Sequence, residues 1–523
     1  MFAASSSQHE KASRDVIVVG YGSAGAAAAI EAAEAGAKVL LVEKMQHFGG
    51  NSVLSAGYMR VATDAAGAAA YLDACSGGRI DQPVIEALAQ GMTEVIPYLQ
   101  RLARPLNAKV FLNVGEDQGD DNVADLYDWP GRQSFGMAGI ESVPEFTGYP
   151  WLHFGGRGQY LLRVLEANIE ALNVEVWFHA PAKRLIVEEG RVLGLVVERE
   201  GREIQVYARG GVILACGGFE FNRRMLQDFL ELPLIHSIGC PGNTGDGILM
   251  ARQAGAALWH MWHIHGSYGF KFPEFPMAIR NHLGGARRAR RKVAWILVDK
   301  KGKRFTNEVP PAPQDTAARP LAHLDAETGE SDRIPAWMVF DDQGRRLGPI
   351  GKPIAAVPEH YYEWSADNSQ EIERGWILTA STLEELAEKT RLPRSSFTAT
   401  VARWNAAVNA GDDADFDRPA GTLAPVVSPP YYAVQVWPVC TNTQGGPRHD
   451  EFQRVLDAFG QPIPSLYAVG ELGSFFGHIY MLGGNLAECL VGGRIAGRRA
   501  AQGLDRHARD TNLELENDPA EVS

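Results

Sequence analysis

Residues 15–19, DVIVV, form a short β-branched run that stops at a glycine turn. It gives way to a small-residue segment, SAGAAAAIEAAEAGA, and then to a second apolar run, KVLLVEK. Short continuous apolar runs on either side of a helix-length segment predict a strand, a helix and a second strand, with both strands buried on two faces. The stretch KRLIVEEGRVLGLVVEREGREIQVYARGGVILAC alternates apolar and polar positions with Gly at its turns, which predicts a β-meander whose last strand leaves the sheet at ACGG. From about residue 251 to 428 the pattern weakens and Pro, Trp, His and Arg become frequent. The clearest helix there, STLEELAEKTRL, starts on a Ser/Thr cap with Glu three residues on. NAGDDADFDRPAGTLAPVVSPP is rich in turn formers and reads as a linker. Near the C-terminus, GHIYMLGGN runs into a small-residue helix pattern, LAECLVGGRIAG, which predicts a helix start that a ligand approaches closely.

The turn after the first strand places Gly20, Gly22 and Gly25 in G-x-G-x-x-G spacing. Gly20 allows the tight turn, Gly22 lets a pyrophosphate reach the backbone, and Gly25 lets the helix pack on the strand. The first N–H groups of the helix then face the phosphates. Glu43 stands at the end of the second strand, where a carboxylate accepts hydrogen bonds from ribose hydroxyls. The motif alone is weak evidence; with both strands and the terminal acid in register it predicts a dinucleotide site. It does not separate FAD from NAD. A second glycine pair, Gly49 and Gly50, followed by Asn51, Ser52 and the turn from Ser55 to Gly57, suits a second contact with an extended cofactor.

With 523 residues, 45% hydrophobic and 22% charged, the chain has material for two or three domains and a large core. A net charge of -13 argues against nucleic acid as a partner, and the one basic run, ARRARRK at 286–292, reads as a solvated loop face. The five cysteines lack metal or haem spacing and suit free thiols in a reducing compartment. The polar N-terminus, residues 1–15, reads as a disordered lead-in, and no run of apolar residues is long enough to span a membrane, so a cytoplasmic location is expected.

VEK…GGNSVLSAG, VILACGGFEFN, GNTGDG, GKRFTNE and YAVGELGS, in this order, resemble the FAD-dependent fumarate reductase and 3-ketosteroid dehydrogenase superfamily between about residues 14 and 505. The resemblance implies an α/β fold with a discontinuous Rossmann-like FAD-binding domain, residues 14–250 and 429–505, and an inserted α+β cap domain at 251–428. A variable helical insertion is expected near 60–150 and a flexible tail at 506–523. It implies non-covalent FAD held by Gly20, Gly22, Ser23, Ala24, Gly25, Glu43, Lys44, Gly50, Asn51, Ser52, Ser55, Ala56, Gly57, Ala182, Ala215, Gly217, Asp246, Gly470, Glu471, Gly484, Asn485 and Leu486. Glu471 would lie against the ribityl chain, and the helix opened by Gly483 and Gly484 would turn its N–H groups toward the pyrimidine edge of the flavin.

Fumarate reductases carry an Arg directly before LGGN that clamps a substrate carboxylate; here that position is Met481. Thr441 and Asn442 stand where the family's His is expected, and VPPAPQD follows the TNE segment where a proton-donating Arg is expected. Ketosteroid dehydrogenases resemble the stretch better, with a Tyr four residues before a Gly. The positions here are Tyr480, as the proton-abstracting phenol with a lowered pKa, and Gly484, whose N–H would hold the substrate's carbonyl oxygen. That branch also carries a Tyr after TNE, absent here, so Tyr268 and Tyr149 are the substitutes expected, with His263 and His265 behind them. His260, His263 and His265 lack metal spacing, and Trp259, Trp262, Phe270, Trp437, Phe475 and Phe476 are candidates for an apolar pocket. The expected activity is FAD-dependent dehydrogenation or ene reduction at a carbon–carbon bond next to a carbonyl of an apolar, steroid-like or cyclic ketone, with an unspecified electron partner. The alternatives are a reductase of a small unsaturated acid, held by Arg304 or Arg448, and an electron-transfer flavoprotein subunit.

Overall fold

The computed structural model describes residues 10–114, 126–153, 156–232, 234–283, 286, 291–354 and 358–516. β1 (Glu10–Val19) leads into α1 (Ser23–Glu34) and β2 (Val39–Val42), and the two strands pair in parallel with Val16 opposite Val39. Val16, Ile17, Val18, Leu40 and Leu41 are fully buried, as their continuous apolar pattern requires. β3 (Glu175–Trp177) continues the sheet beside β2. β4 (Ala182–Glu188), β5 (Arg191–Arg199) and β6 (Arg202–Leu214) form the expected meander, and β6 lies parallel to β1. β1 starts pairing at Glu10, opposite Ile204, so residues 10–15 are strand rather than lead-in.

Between β2 and β3 the chain forms helices Ala65–Ser76, Gln82–Thr93 and Val95–Ala103. This insertion is not purely helical, because strands Tyr58–Ala62, Lys109–Asn113 and Phe135–Ser142 add a small antiparallel sheet.

A second sheet contains β7 (Ile264–Phe270), β8 (Ile279–Arg280), β9 (Ala336–Asp341) and β10 (Tyr431–Thr443). β10 runs through its centre, antiparallel to both β7 and β9. The second sheet therefore takes its central strand from the segment expected to return to the cofactor domain at 429. The intervening stretch is no loose linker: Arg418 is buried and bonds Glu308 (3.1 Å) and the carbonyls of Val293 and Trp295, while Asp413 pairs with Arg304 (2.7 Å). The capped helix is present as Leu383–Thr390, with Thr382 Oγ1 accepting from the N–H of Glu385.

β11 (Pro462–Ala468) returns to the first sheet beside β6, and α2 (Gly484–Glu516) then crosses α1. Its small residues make that crossing possible: a Cβ on Gly493 would meet Ala24 O at 2.5 Å, and one on Gly497 would meet Ala28 O at 2.3 Å. The helix runs past residue 505, where a frayed tail was expected, to Glu516. No helix among the described residues is long and apolar enough to cross a membrane.

Candidate active site

A cleft of about 840 Å³ opens at the C-terminal ends of β1, β2 and β6, where the strand order reverses and ligands of such sheets bind. Its walls include Gly20, Gly22, Ser23, Ala24, Glu43, Lys44, Gly50, Asn51, Ser52, Ala182, Ala215, Gly217, Asp246 and Glu471 of the residues expected to hold a cofactor. Gly20, at φ +103°, sits so close to the next strand that a Cβ would meet Ala215 O at 2.3 Å. A Cβ on Gly25 would meet Gly20 O at 1.9 Å, which is the helix–strand packing role read from the motif. At Gly22 nothing lies nearer than Ser52 Oγ at 3.6 Å, so the backbone there faces open cleft. The arrangement fits a dinucleotide: an open glycine at the start of α1 for the phosphates, and a carboxylate at the end of β2 for a ribose.

Glu43 is held in place by the N–H groups of Tyr21 and Met45, both at 2.9 Å. Lys44 donates to Asp246 and Thr244 at 2.6 Å each, tying the end of β2 to the Asp246–Gln253 helix. Gly25, Ser55, Ala56, Gly57, Gly470, Gly484, Asn485 and Leu486 do not line this cleft. Ser55 instead shapes the turn behind it, accepting from the Gly57 N–H and donating to Ser52 O.

Beside the cleft wall at Glu471, which is partly buried, stands a second carboxyl, the fully buried Glu220, which the motif alone did not pair with it. Asn51 Nδ2 donates to Glu220 (2.8 Å) and Glu471 (3.2 Å), and Asn243 donates to Glu220 (2.7 Å). A Cβ on Gly218 would meet Glu471 Oε1 at 2.4 Å and Glu220 Oε2 at 3.0 Å, so both oxygens crowd one spot. Burial raises both carboxyls above the usual range, and the Glu220 charge raises Glu471 further.

Tyr480 lies just before the start of α2. Asp315, on the short helical turn Pro313–Thr316, accepts the Tyr480 N–H (2.7 Å) and also bonds His263 (3.0 Å) and Arg319 (3.0 Å), which fixes the backbone at this point. The phenol oxygen accepts the N–H of Gly483 at 3.1 Å. The expected fall in its pKa is not realised: burial pushes the phenol up to about 12, against the pull of the Gly483 and Asn485 N–H groups and of the Arg280 and Arg60 guanidiniums. Gly484 likewise differs from expectation. Its N–H closes a turn on Met481 O (2.7 Å), and its missing side chain admits the Phe476 ring, which a Cβ would meet at 2.3 Å.

His265 stacks on the Tyr480 ring, with centroids 4.3 Å apart and planes at 25°. Its Nδ1 lies 2.9 Å from Asn442 Oδ1, which makes Nδ1 the protonated nitrogen. Nε2 is buried with no hydrogen-bond partner among the described residues. Burial, with the Arg280 charge adding to it, pushes His265 down to about 3, so the ring is neutral.

Tyr268 and Tyr149, the expected substitutes for the missing phenol, are not brought to Tyr480. Tyr268 turns into the core of the second sheet, where Trp295 Nε1 donates to its oxygen at 2.8 Å. Tyr149 stacks on Trp151, meets Phe48 edge-on and donates to Glu166 (3.1 Å). Arg304 is consumed by Glu308 and Asp413, and Arg448 pairs with Asp81 (2.6 Å). Of the aromatic candidates, Phe476 meets Tyr480 edge-on at 5.4 Å, whereas Phe270 lies in the second core and Trp262 is exposed. His265 was named only as a background residue, and Arg280 was missed altogether. Each reaches Tyr480 through strand register, His265 opposite Asn442 and Arg280 opposite Gly269, which no local motif encodes.

Fold and cleft define a dinucleotide-binding protein. The chain belongs to the FAD binding domain family, which it matches over residues 15–486. Over 493 residues it is 31% identical to the fumarate reductase (cytochrome) of Shewanella frigidimarina, covering 93% of this chain and 77% of that one. It is 29% identical over 569 residues to the 3-oxosteroid 1-dehydrogenase of Mycobacterium tuberculosis (92% and 97% of the two chains). It is also 29% identical over 562 residues to the 4-oxocyclohexanecarboxylate 2-dehydrogenase of Sinomonas cyclohexanicum (93% and 92%). The fold matches a solved 3-ketosteroid delta1-dehydrogenase from Sterolibacterium denitrificans with a TM-score of 0.78 at 24% identity, covering 94% of this chain and 99% of that one. The protein is an FAD-dependent oxidoreductase acting on carbon–carbon bonds.

Proposed function

We propose that the substrate is a cyclic ketone, oxidised or reduced at the carbon–carbon bond beside its carbonyl, with Tyr480 handling the proton. The observation that carries this reading is the setting of the phenol oxygen, on the Gly483 N–H at the start of a helix and within the influence of Arg60 and Arg280. FAD, when bound, takes or supplies the hydride. In dehydrogenation the α-carbon gives its proton to the Tyr480 oxygen as hydride leaves the neighbouring carbon, and in ene reduction the phenol returns that proton. Either way the phenolate that forms or is consumed is stabilised by groups already in place. A buried phenol with a pKa near 12 is protonated at rest, which suits the donor of the reductive direction.

The oxosteroid and oxocyclohexane relatives, named for ring ketones, support the substrate class. Met481 in place of a carboxylate-clamping Arg, and the commitment of Arg304 and Arg448 to ion pairs, weigh against fumarate itself. The test is anaerobic: saturated ring ketones are mixed with the oxidised enzyme, and ring enones and fumarate with the dithionite-reduced enzyme, while flavin absorbance is followed. Rapid flavin bleaching by a ring ketone, or rapid reoxidation by a ring enone, supports the reading. Rapid reoxidation by fumarate with ring enones inert would overturn it. So would an absence of any ligand-induced spectral change, the behaviour of a bare electron carrier.

A further inference from the structure

Arg280, whose charge reaches Tyr480, and its neighbour Lys352 have no counter-charge among the described residues. Arg280 sits on β8, held against β7 by the Gly269–Arg280 pairing, and its carbonyl accepts the N–H of Lys352 at 2.8 Å, which fixes the two residues side by side. Both are at least partly buried. Neither side chain has a hydrogen-bond or ion-pair partner among the described residues, and the neighbouring segments outside them, 284–285, 287–290 and 355–357, contain only Gly, Arg, Ala and Val. The other charges around the pair are also basic. Arg291 bonds the His282 carbonyl (3.0 Å), and His282 is bridged by its backbone to Ile350.

Two other buried cations are neutralised by carboxylates: Arg304 has Glu308 and Asp413, and Arg418 has Glu308. Sequestering charge without a counter-ion is unfavourable, and an arrangement that persists despite it is expected where a ligand supplies the missing charge. Arg280 pairs with the strand that carries His265, the ring stacked on Tyr480, and its charge acts on both side chains, so a ligand held by it would approach the Tyr480 site. Burial and the charges of Arg280 and Arg291 press Lys352 down to about 8, the response of an ammonium with no anion to meet.

We propose that Arg280 and Lys352 form a docking point for a carboxylate carried by the ring-ketone substrate. The inference rests on the ring-ketone reading above and narrows it to a cyclic keto acid. It places the anionic group on residues unrelated to the position taken by Met481. A planar guanidinium binds a carboxylate through two parallel N–H bonds and the ammonium adds a third donor, so the acid would orient the ring relative to Tyr480.

The test uses the FAD-loaded enzyme and two readouts. In turnover with a dye acceptor, 4-oxocyclohexanecarboxylate should exceed cyclohexanone in kcat/KM. Lys352→Met should reduce that preference by roughly 30-fold or more, the effect of truncating one side of a buried charged contact, and Lys352→Arg should restore most of it. In the second readout, cyclohexanecarboxylate, which has no ketone, is titrated calorimetrically. Wild type should bind it, and Lys352→Met and Arg280→Met should weaken binding by a similar factor. Equal use of the acid and the neutral ketone by wild type, or unaltered carboxylate binding in both variants, overturns the docking point. Because the calorimetric arm needs no turnover, failure of the ring-ketone reading shows as inert ketones in the first arm while the second still judges the cation pair.

Discussion

A phenol at the start of a helix is pulled two ways, and Tyr480 shows both forces. The Gly483 N–H and two guanidiniums favour the phenolate, while exclusion of water favours the phenol and prevails. Two outcomes are expected. Tyr480→Phe should keep its flavin, since the ring contacts with His265 and Phe476 survive, and should lose roughly 10²- to 10⁴-fold in turnover; stopped-flow flavin reduction measures it. In the wild type, the rate constant for flavin reduction by a ring ketone should rise about tenfold per pH unit between pH 7 and 10, because the basic form of a group titrating near 12 grows by that factor. A flat profile would exclude Tyr480 as the base. The place of Tyr480 just before the start of α2 was legible in the sequence because a local motif surrounds it. His265 was legible only as a residue type, and Tyr268 was misplaced, because the face each presents depends on strand β7 and its bulge between His265 and Gly266.

At the scale of elements, α1 and α2 are the parts whose reason for being is easiest to state. Of the small residues read from LAECLVGGRIAG, Cys489 lines the nucleotide cleft, whereas Gly493 and Gly497 let α2 lie on the backbone of α1, against Ala24 and Ala28. Gly497→Val, whose branched side chain has only backbone to push against, is expected to destabilise the fold by about 3 kcal/mol and to loosen the nucleotide turn that α1 begins. Thermal unfolding and retained flavin per chain measure the two effects. Strands and helices with clean periodicity, the β1–α1–β2 unit and the meander among them, were readable from the chain. The membership of Tyr431–Thr443 was not: it pairs with β7 and β9, both distant in sequence, and its own alternation says nothing of which sheet will take it.

Across the whole molecule, the cofactor cleft draws on both halves of the FAD-binding domain, with Gly20 to Ala24 and Glu43 on one side and Val469, Glu471 and Cys489 on the other. A bound ligand therefore bridges parts of the chain that unfolding would separate, and FAD at 100 times its Kd should add about 2.7 kcal/mol of stability. Unfolding of the holoenzyme and of protein stripped by acid precipitation, compared with and without added FAD, measures this.

The same division has a consequence for how the protein is made. During synthesis the glycine turn and Glu43 emerge early, but the opposite wall appears only after the second sheet and β11 have been completed. A nascent chain thus lacks the second wall of its flavin cleft while most of it is being translated, and the early sheet waits with the edge of β6 uncovered until β11 reaches it. The complete cleft exists only at the last stage of biogenesis, and a shortage of flavin in the cell would leave full-length chains, rather than ribosome-bound ones, as the species exposed to degradation.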